Sequence, residues 1–164
     1  MPEPVRPVVA NTTPLIALAV IGRLDLLPRL YSEITISEAV AEELAAGGPE
    51  RIVVPHPSTL SWITIVPKDP REARRLLYGL DDGEAYTLLL ALRLKARLVI
   101  IDEKVGRSTA EYLGLRVTGT LGVLARAKRE GMVPNFTEEA DRLMRAGLYY
   151  HPSLVARLAR ELGE

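Results

Sequence analysis

A mainly parallel β-sheet with helices on both faces, a three-layer α/β/α arrangement, is the fold this sequence predicts, and three observations predict it. Two short apolar runs, Pro7-Val8-Val9-Ala10 and Leu98-Val99-Ile100-Ile101, read as strands buried on both faces. Between the strand-like runs lie longer stretches of helical periodicity, as βα units require. Each of the two runs stops abruptly at a polar residue, Asn11 in one case and Asp102 in the other. A length of 164 residues suits one domain, taken as 1–164, with a sizeable core.

Taken in order, the first strand ends at Asn11-Thr12-Thr13-Pro14, where Thr12 or Thr13 is expected to cap a helix with Pro14 in its first turn. Leu15, Ile16, Leu18 and Ala19, then Leu24, Leu26, Leu27 and Leu30, predict two helices joined at Gly22. Ile34-Thr35-Ile36 alternates as a strand, and Ser37 is placed to cap a helix with Val40 and Leu44 on one face, ending at Gly47-Gly48-Pro49. Trp62 to Val66 has strand composition, although its apolar density also suits an edge segment packed on a helix. A helix is expected from about Arg71 to Tyr78, and Asp81 with Glu84 three residues on opens another, long one. After the strand ending at Ile101, a helix from Lys104 to Leu113, a short strand at Leu115-Arg116-Val117 and helices around 121–129, 138–144 and 154–162 complete the chain.

Composition narrows the chemistry. Basic and acidic residues number 21 each, so no overall field marks a nucleic-acid binder and any such site is a local patch. The absence of cysteine excludes disulfides, thiolate metal sites and cysteine nucleophiles. No apolar run approaches the length of a membrane span, and the proline-broken N-terminal segment lacks the apolar core of a signal peptide; a cytoplasmic setting is the expectation.

In an open parallel sheet, ligands bind beyond the carboxyl ends of the strands. Asn11, Asp102 and Thr118 occupy such positions, Glu84 lies in the first turn of the helix feeding the Asp102 strand, and Glu43 lies on the helix after Ile36. Converged carboxylates repel and raise one another's pKa, so such a cluster is unfavourable without a cation. Oxygen-only ligation favours Mg²⁺ or Mn²⁺, which activate water and stabilise charge on a phosphoryl oxygen; phosphodiester hydrolysis is the natural chemistry.

Val8 to Ile16, Glu43-Leu44, Leu80 to Ala85, Ile101-Asp102-Glu103 with Gly106-Arg107, and Val117 to Gly122, in that order, resemble PIN-domain proteins, more narrowly their branch of predicted nucleic-acid-binding, VapC-toxin-like members. The resemblance implies a compact α/β/α domain, often a homodimer, whose acidic residues bind Mg²⁺ or Mn²⁺ for RNA cleavage, frequently as the toxin partnered by an antitoxin protein. Carried over by position, Asn11, Glu43, Glu84 and Asp102 fill the acidic quartet, with Thr13 as the hydroxyl beside the first site. The family pattern has Asp where this chain has Asn11. An amide oxygen still coordinates but brings no charge, so activity is expected to be weaker than in an Asp-bearing relative, with Glu103 as the candidate to supply the missing charge. A PIN-like module that binds RNA or a partner without catalysis is the alternative. Arg107 and Thr118 join Thr13 as candidate substrate contacts.

Each of these residues also has a plainer reading. Glu84 fits a capping box, Asp102 a cap for the next helix, Glu43 a solvated helix face, and Asn11 a turn former bonding its own backbone. Arg107 suits a surface ion pair with Glu103 or Glu111. Arg71, Arg74 and Arg75, like Arg126, Lys128 and Arg129, form either an RNA-backbone patch or a solvated helix face. His56 and His151 fall in loops and are poor general bases, and the apolar residues Leu154, Val155, Leu158 and Leu162 are core or a dimer seam. A receiver or phosphatase-like domain using Asp102 would want a lysine after a later strand, where the chain has Thr118-Gly119.

Overall fold

In the computed structural model, which describes residues 1–47, 54–72 and 79–164, the apolar runs pair as parallel strands. They are β1 (Val8–Ala10), β2 (Ile34–Ser37), β3 (Ile63–Val66), β4 (Leu98–Ile100) and β5 (Val117–Thr118), ordered β3-β2-β1-β4-β5. All four pairings are parallel. The chain first builds outward from β1 through β2 to β3, then crosses back to lay β4 on the other side of β1. The topological switch point therefore falls between β1 and β4, and Asn11 and Asp102 follow those two strands.

The helices are α1 (Thr12–Val20), α2 (Leu26–Tyr31), α3 (Glu38–Ala45), α4 (Asp82–Arg93), α5 (Lys104–Tyr112), α6 (Thr120–Arg129), α7 (Phe136–Arg145) and α8 (Pro152–Glu161). Strand alternation sends neighbouring residues into different cores. Val8, Ala10, Ile34, Ile36 and Ile100 join the larger cluster with Leu15 and Leu18 of α1, Leu124 of α6, Phe136 and Leu143 of α7 and Val155 of α8. Val9, Val99 and Ile101 join the smaller one with Leu88 and Ala91 of α4 and Ala110 of α5. Burial on both faces is why these strands carry no polar alternation. Leu154, Leu158 and Leu162 pack on the larger core rather than forming a free apolar face.

Local expectations fare well, with instructive exceptions. Ser37 caps α3 by accepting from the Ala39 N–H at 3.1 Å, and β3 is an edge strand. The cap of α1 is Asn11, not Thr12 or Thr13, because the extended backbone ends one residue earlier. Both histidines are caps: Nδ1 of His56 accepts from the Ser58 N–H and Nδ1 of His151 from the Ser153 N–H, each before a proline that opens a helical turn. The helix expected from Arg71 to Tyr78 and the Gly47-Gly48-Pro49 ending lie largely outside the described residues, as do Arg74 and Arg75. No described helix is long and apolar enough to cross a membrane.

Candidate active site

The switch point gathers its side chains from the ends of β1 and β4 and from helix starts around them. The Asn11 N–H donates to the Ile100 carbonyl at 2.9 Å, fixing Asn11 where β1 meets β4. Its side chain makes no capping bond, so the turn-former reading does not account for it. Asn11 is only 4% exposed, and its Oδ1 is a buried acceptor without a hydrogen-bond partner. An unpartnered buried carbonyl is costly and calls for a donor or a cation.

Beside it, Thr12 donates its hydroxyl to Oε2 of Glu43 at 2.6 Å, turning that carboxylate toward the start of α1 although the Glu43 residue is largely exposed. The same carboxylate lies against Gly83, where any Cβ would overlap it. The plain backbone of Gly83 is what lets α3 and the start of α4 approach this closely. One residue on, Glu84 is 6% exposed and completes the capping box: its N–H donates to Asp81 Oδ1 at 2.8 Å and its Oε2 accepts from the Asp81 N–H at 3.1 Å. Burial pushes the Glu84 carboxyl above the ordinary carboxylate value; the N–H bond from Asp81 opposes this, and the charges of Asp81, Glu103 and Glu43 push it further up.

Asp102 accepts three bonds: from the Thr120 N–H at 2.7 Å and the Thr120 hydroxyl at 2.6 Å, both at the start of α6, and from the Tyr150 hydroxyl at 3.2 Å. It thus caps α6, not the adjacent α5, whose cap position Glu103 holds without a side-chain bond. Burial, and next the Asp102 charge, push the Tyr150 hydroxyl well above its ordinary value and keep it a donor. Asp102, Glu103, Thr13, Gly147, Leu148, Tyr149 and Tyr150 line one cleft of about 290 Å³.

Arg107 forms neither of the ion pairs expected with Glu103 or Glu111. A Cβ on Gly119 would lie 2.7 Å from both its Nη1 and Oδ1 of Asp102, so the guanidinium sits next to that carboxylate. Thr118, by contrast, packs its hydroxyl on Gly122 and lines a separate cleft at the β5 edge with Arg116, Arg126 and Arg129. The cationic patch on α6 is partly spent on structure. Arg126 pairs with Glu130 and lies over the Tyr31 ring, and Lys128 donates to the Pro134 carbonyl.

Tyr150 and Thr120 are the residues the linear sequence did not single out as site groups, because Tyr150 lies 48 positions and Thr120 18 positions from Asp102. The one usable signal was Gly147 after the α7 pattern, a helix stop that returns the chain.

The donors are hard oxygens, and the buried Oδ1 of Asn11 has no partner, so the residues suit a hard divalent cation in kind. Among the described residues no group of three acidic or histidine side chains is converged to hold one, and Glu43, Glu84 and Asp102 are each engaged by protein donors.

The site is thus an all-parallel α/β/α sheet with carboxylates and an amide around its switch point. The family follows from comparison: the chain matches the family model DUF3368, a PIN domain, over residues 7–164, and so belongs to the PIN-domain family, a branch of a nuclease superfamily. No protein of curated function matches it significantly.

Proposed function

We propose that this PIN domain is a Mg²⁺- or Mn²⁺-dependent endoribonuclease of the cytoplasm, attenuated by Asn11. The observation that carries the reading is the buried, unpartnered Oδ1 of Asn11 at the β1/β4 switch point, with Glu43 bound to the next residue and Asp102 following the neighbouring strand. Asn11, Glu43, Glu84, Asp102 and Glu103 are the residues that would hold the ion, which when bound supplies charge neutralisation at the phosphoryl oxygens and a more acidic water. Glu84 would meet the ion from a buried position, tied to the Asp81 N–H. Arg107 offers a guanidinium to a phosphate beside Asp102, and Thr13, which lines the same cleft, a hydroxyl. Thr118, in its separate cleft, would meet only a more distant part of an RNA strand.

RNA cleavage in Mn²⁺ by the native chain, Asn11→Asp and Asp102→Asn tests this. Asparagine at 102 keeps an acceptor for the Thr120 N–H, so the fold survives while one charge is lost. The expected order is Asn11→Asp above native, with Asp102→Asn inactive; cleavage unchanged in Asp102→Asn sinks the mechanism. A second reading, an RNA- or partner-binding module without catalysis, is favoured by the neutral Asn11 and by the absence of a converged trio of carboxylates among the described residues. It predicts RNA binding without cleavage even for Asn11→Asp. The toxin role, an antitoxin protein and the homodimer belong to the first reading. Light scattering on the purified chain tests the dimer, and growth arrest on expression tests the toxin.

A further inference from the structure

A second surface lies along the open edge of the sheet, away from the acidic residues. β5 is an edge strand, and the carbonyls on either side of Val117 are turned inward: Arg116 accepts from the Val99 N–H at 2.8 Å and Thr118 from the Ile101 N–H at 2.9 Å. Strand alternation therefore turns the N–H and carbonyl of Val117 outward, where no described strand pairs with them. Val117 lines a cleft of about 510 Å³, together with Leu98, Leu115, Arg116 and, from α6, Arg126 and Arg129. A neighbouring cleft of about 520 Å³ shares Tyr31 with it and reaches round the amino ends of β1 and β2, past Arg6 and Arg97.

The chain is neutral overall, yet the residues lining these two clefts set five guanidiniums, those of Arg6, Arg97, Arg116, Arg126 and Arg129, against only Glu33 and Glu111. Glu33 is already engaged by the Thr64 hydroxyl, and Arg126 by Glu130. Arg116 and Arg129 are exposed and enter no ion pair among the described residues. Free cations beside an unpaired strand edge suit a partner that brings both negative charge and a peptide backbone. RNA supplies the charge but uses open aromatic faces for its bases, and Tyr31, the aromatic of both clefts, is 4% exposed with the Arg126 guanidinium 4.9 Å above its ring centre. We propose that the β5 edge docks an extended acidic segment of a partner protein, laid beside β5 as a further strand, with carboxylates on Arg116 and Arg129 and apolar side chains against Leu98 and Leu115. β5 is two residues long, so main-chain bonds at Val117 set the register while charge carries the affinity, which makes the contact sensitive to salt. This surface shares no residue with the group Asn11, Glu43, Glu84 and Asp102, and its occupant is independent of the ribonuclease reading.

The probe is a short fluorescent peptide alternating glutamate with valine and threonine, followed by anisotropy with the native chain and with Arg116→Glu combined with Arg129→Glu. The native chain is expected to bind it, more weakly as salt rises, and the double variant roughly tenfold less well, as reversing two surface charges implies. The same peptide with glutamine for glutamate, or with methyl groups on alternate backbone nitrogens, should lose binding to a similar degree. Thermal unfolding of the double variant should match the native chain, since both side chains are exposed, so that a loss of binding reads the surface and not the fold. Failure of the native chain to bind the acidic peptide, or equal affinity in the double variant, overturns the docking surface and leaves the nuclease reading standing. Full binding of the methylated peptide overturns the added strand. A single-stranded oligouridylate that binds more tightly than the peptide and through the same two arginines assigns the cleft to RNA and overturns the acidic partner.

Discussion

Glu84 completes the capping box of α4 from a buried position, and its titration reads that burial. Its carboxyl lies above the ordinary value in the folded chain, chiefly through burial and further through Asp81, Glu103 and Glu43. Folded protein therefore binds this proton more tightly than unfolded protein does, so ionisation opposes folding. Stability from this group falls as pH climbs from the ordinary carboxylate value through the raised one, and stays low above it. Glu84→Gln keeps an oxygen for the Asp81 N–H and removes the charge. Without added metal it should raise the melting temperature at neutral pH, with the gain fading towards about pH 4; circular dichroism melts across that range read it, and a gain that persists in acid would refute the assignment. Residue types at the site were legible in the sequence, since Asn11, Glu84 and Asp102 follow from strand ends and a capping pattern. What Asp102 bonds was not, because Thr120 and Tyr150 reach it only through the fold.

Elements are joined here by a few buried polar ties. Glu139 of α7, almost wholly buried, accepts from Arg23 at 2.6 Å and from Arg142 at 2.9 Å, and Arg142 also donates to the Ile21 carbonyl at 2.6 Å. This links α7 to the turn after α1, across 116 residues of sequence. Removing the acid takes a charge-assisted partner from two partly exposed guanidiniums, so Glu139→Ala should cost about 2 kcal/mol in urea unfolding, and a loss as small as that of a surface pair would show the tie to be idle. Helix and strand order was readable from periodicity, because buried strands and amphipathic helices leave different patterns. The polar ties were not, since Glu139 and Arg23 look like ordinary surface residues in the chain. The caps fell between: Ser37 and Asp81 follow a local rule, whereas the shift from Thr12 to Asn11 depends on where β1 stops pairing.

For the whole molecule, the two cores share one sheet, with alternate residues of β1 and β4 committed to opposite sides. Neither core can be lost while the strands remain, so residues 1–164 should unfold as one cooperative unit. Trp62, packed on the larger core at the start of β3, reports from the sheet edge, and circular dichroism reports from all the helices. Their urea transitions should coincide; separate midpoints would divide the chain into two units. The layered architecture was predictable from apolar strands alternating with helices, but the order β3-β2-β1-β4-β5 needed the structure, because identical strand patterns permit several windings.

Asp102 holds the first turn of α6 by its Thr120 N–H and hydroxyl, and takes the Tyr150 hydroxyl as well. Selection on folding alone would therefore keep an acid at this position. The Asp81–Glu84 box is held on the same ground, as masonry. The acids at this site are thus fixed by the fold itself, whereas the side chain of Asn11 braces no element.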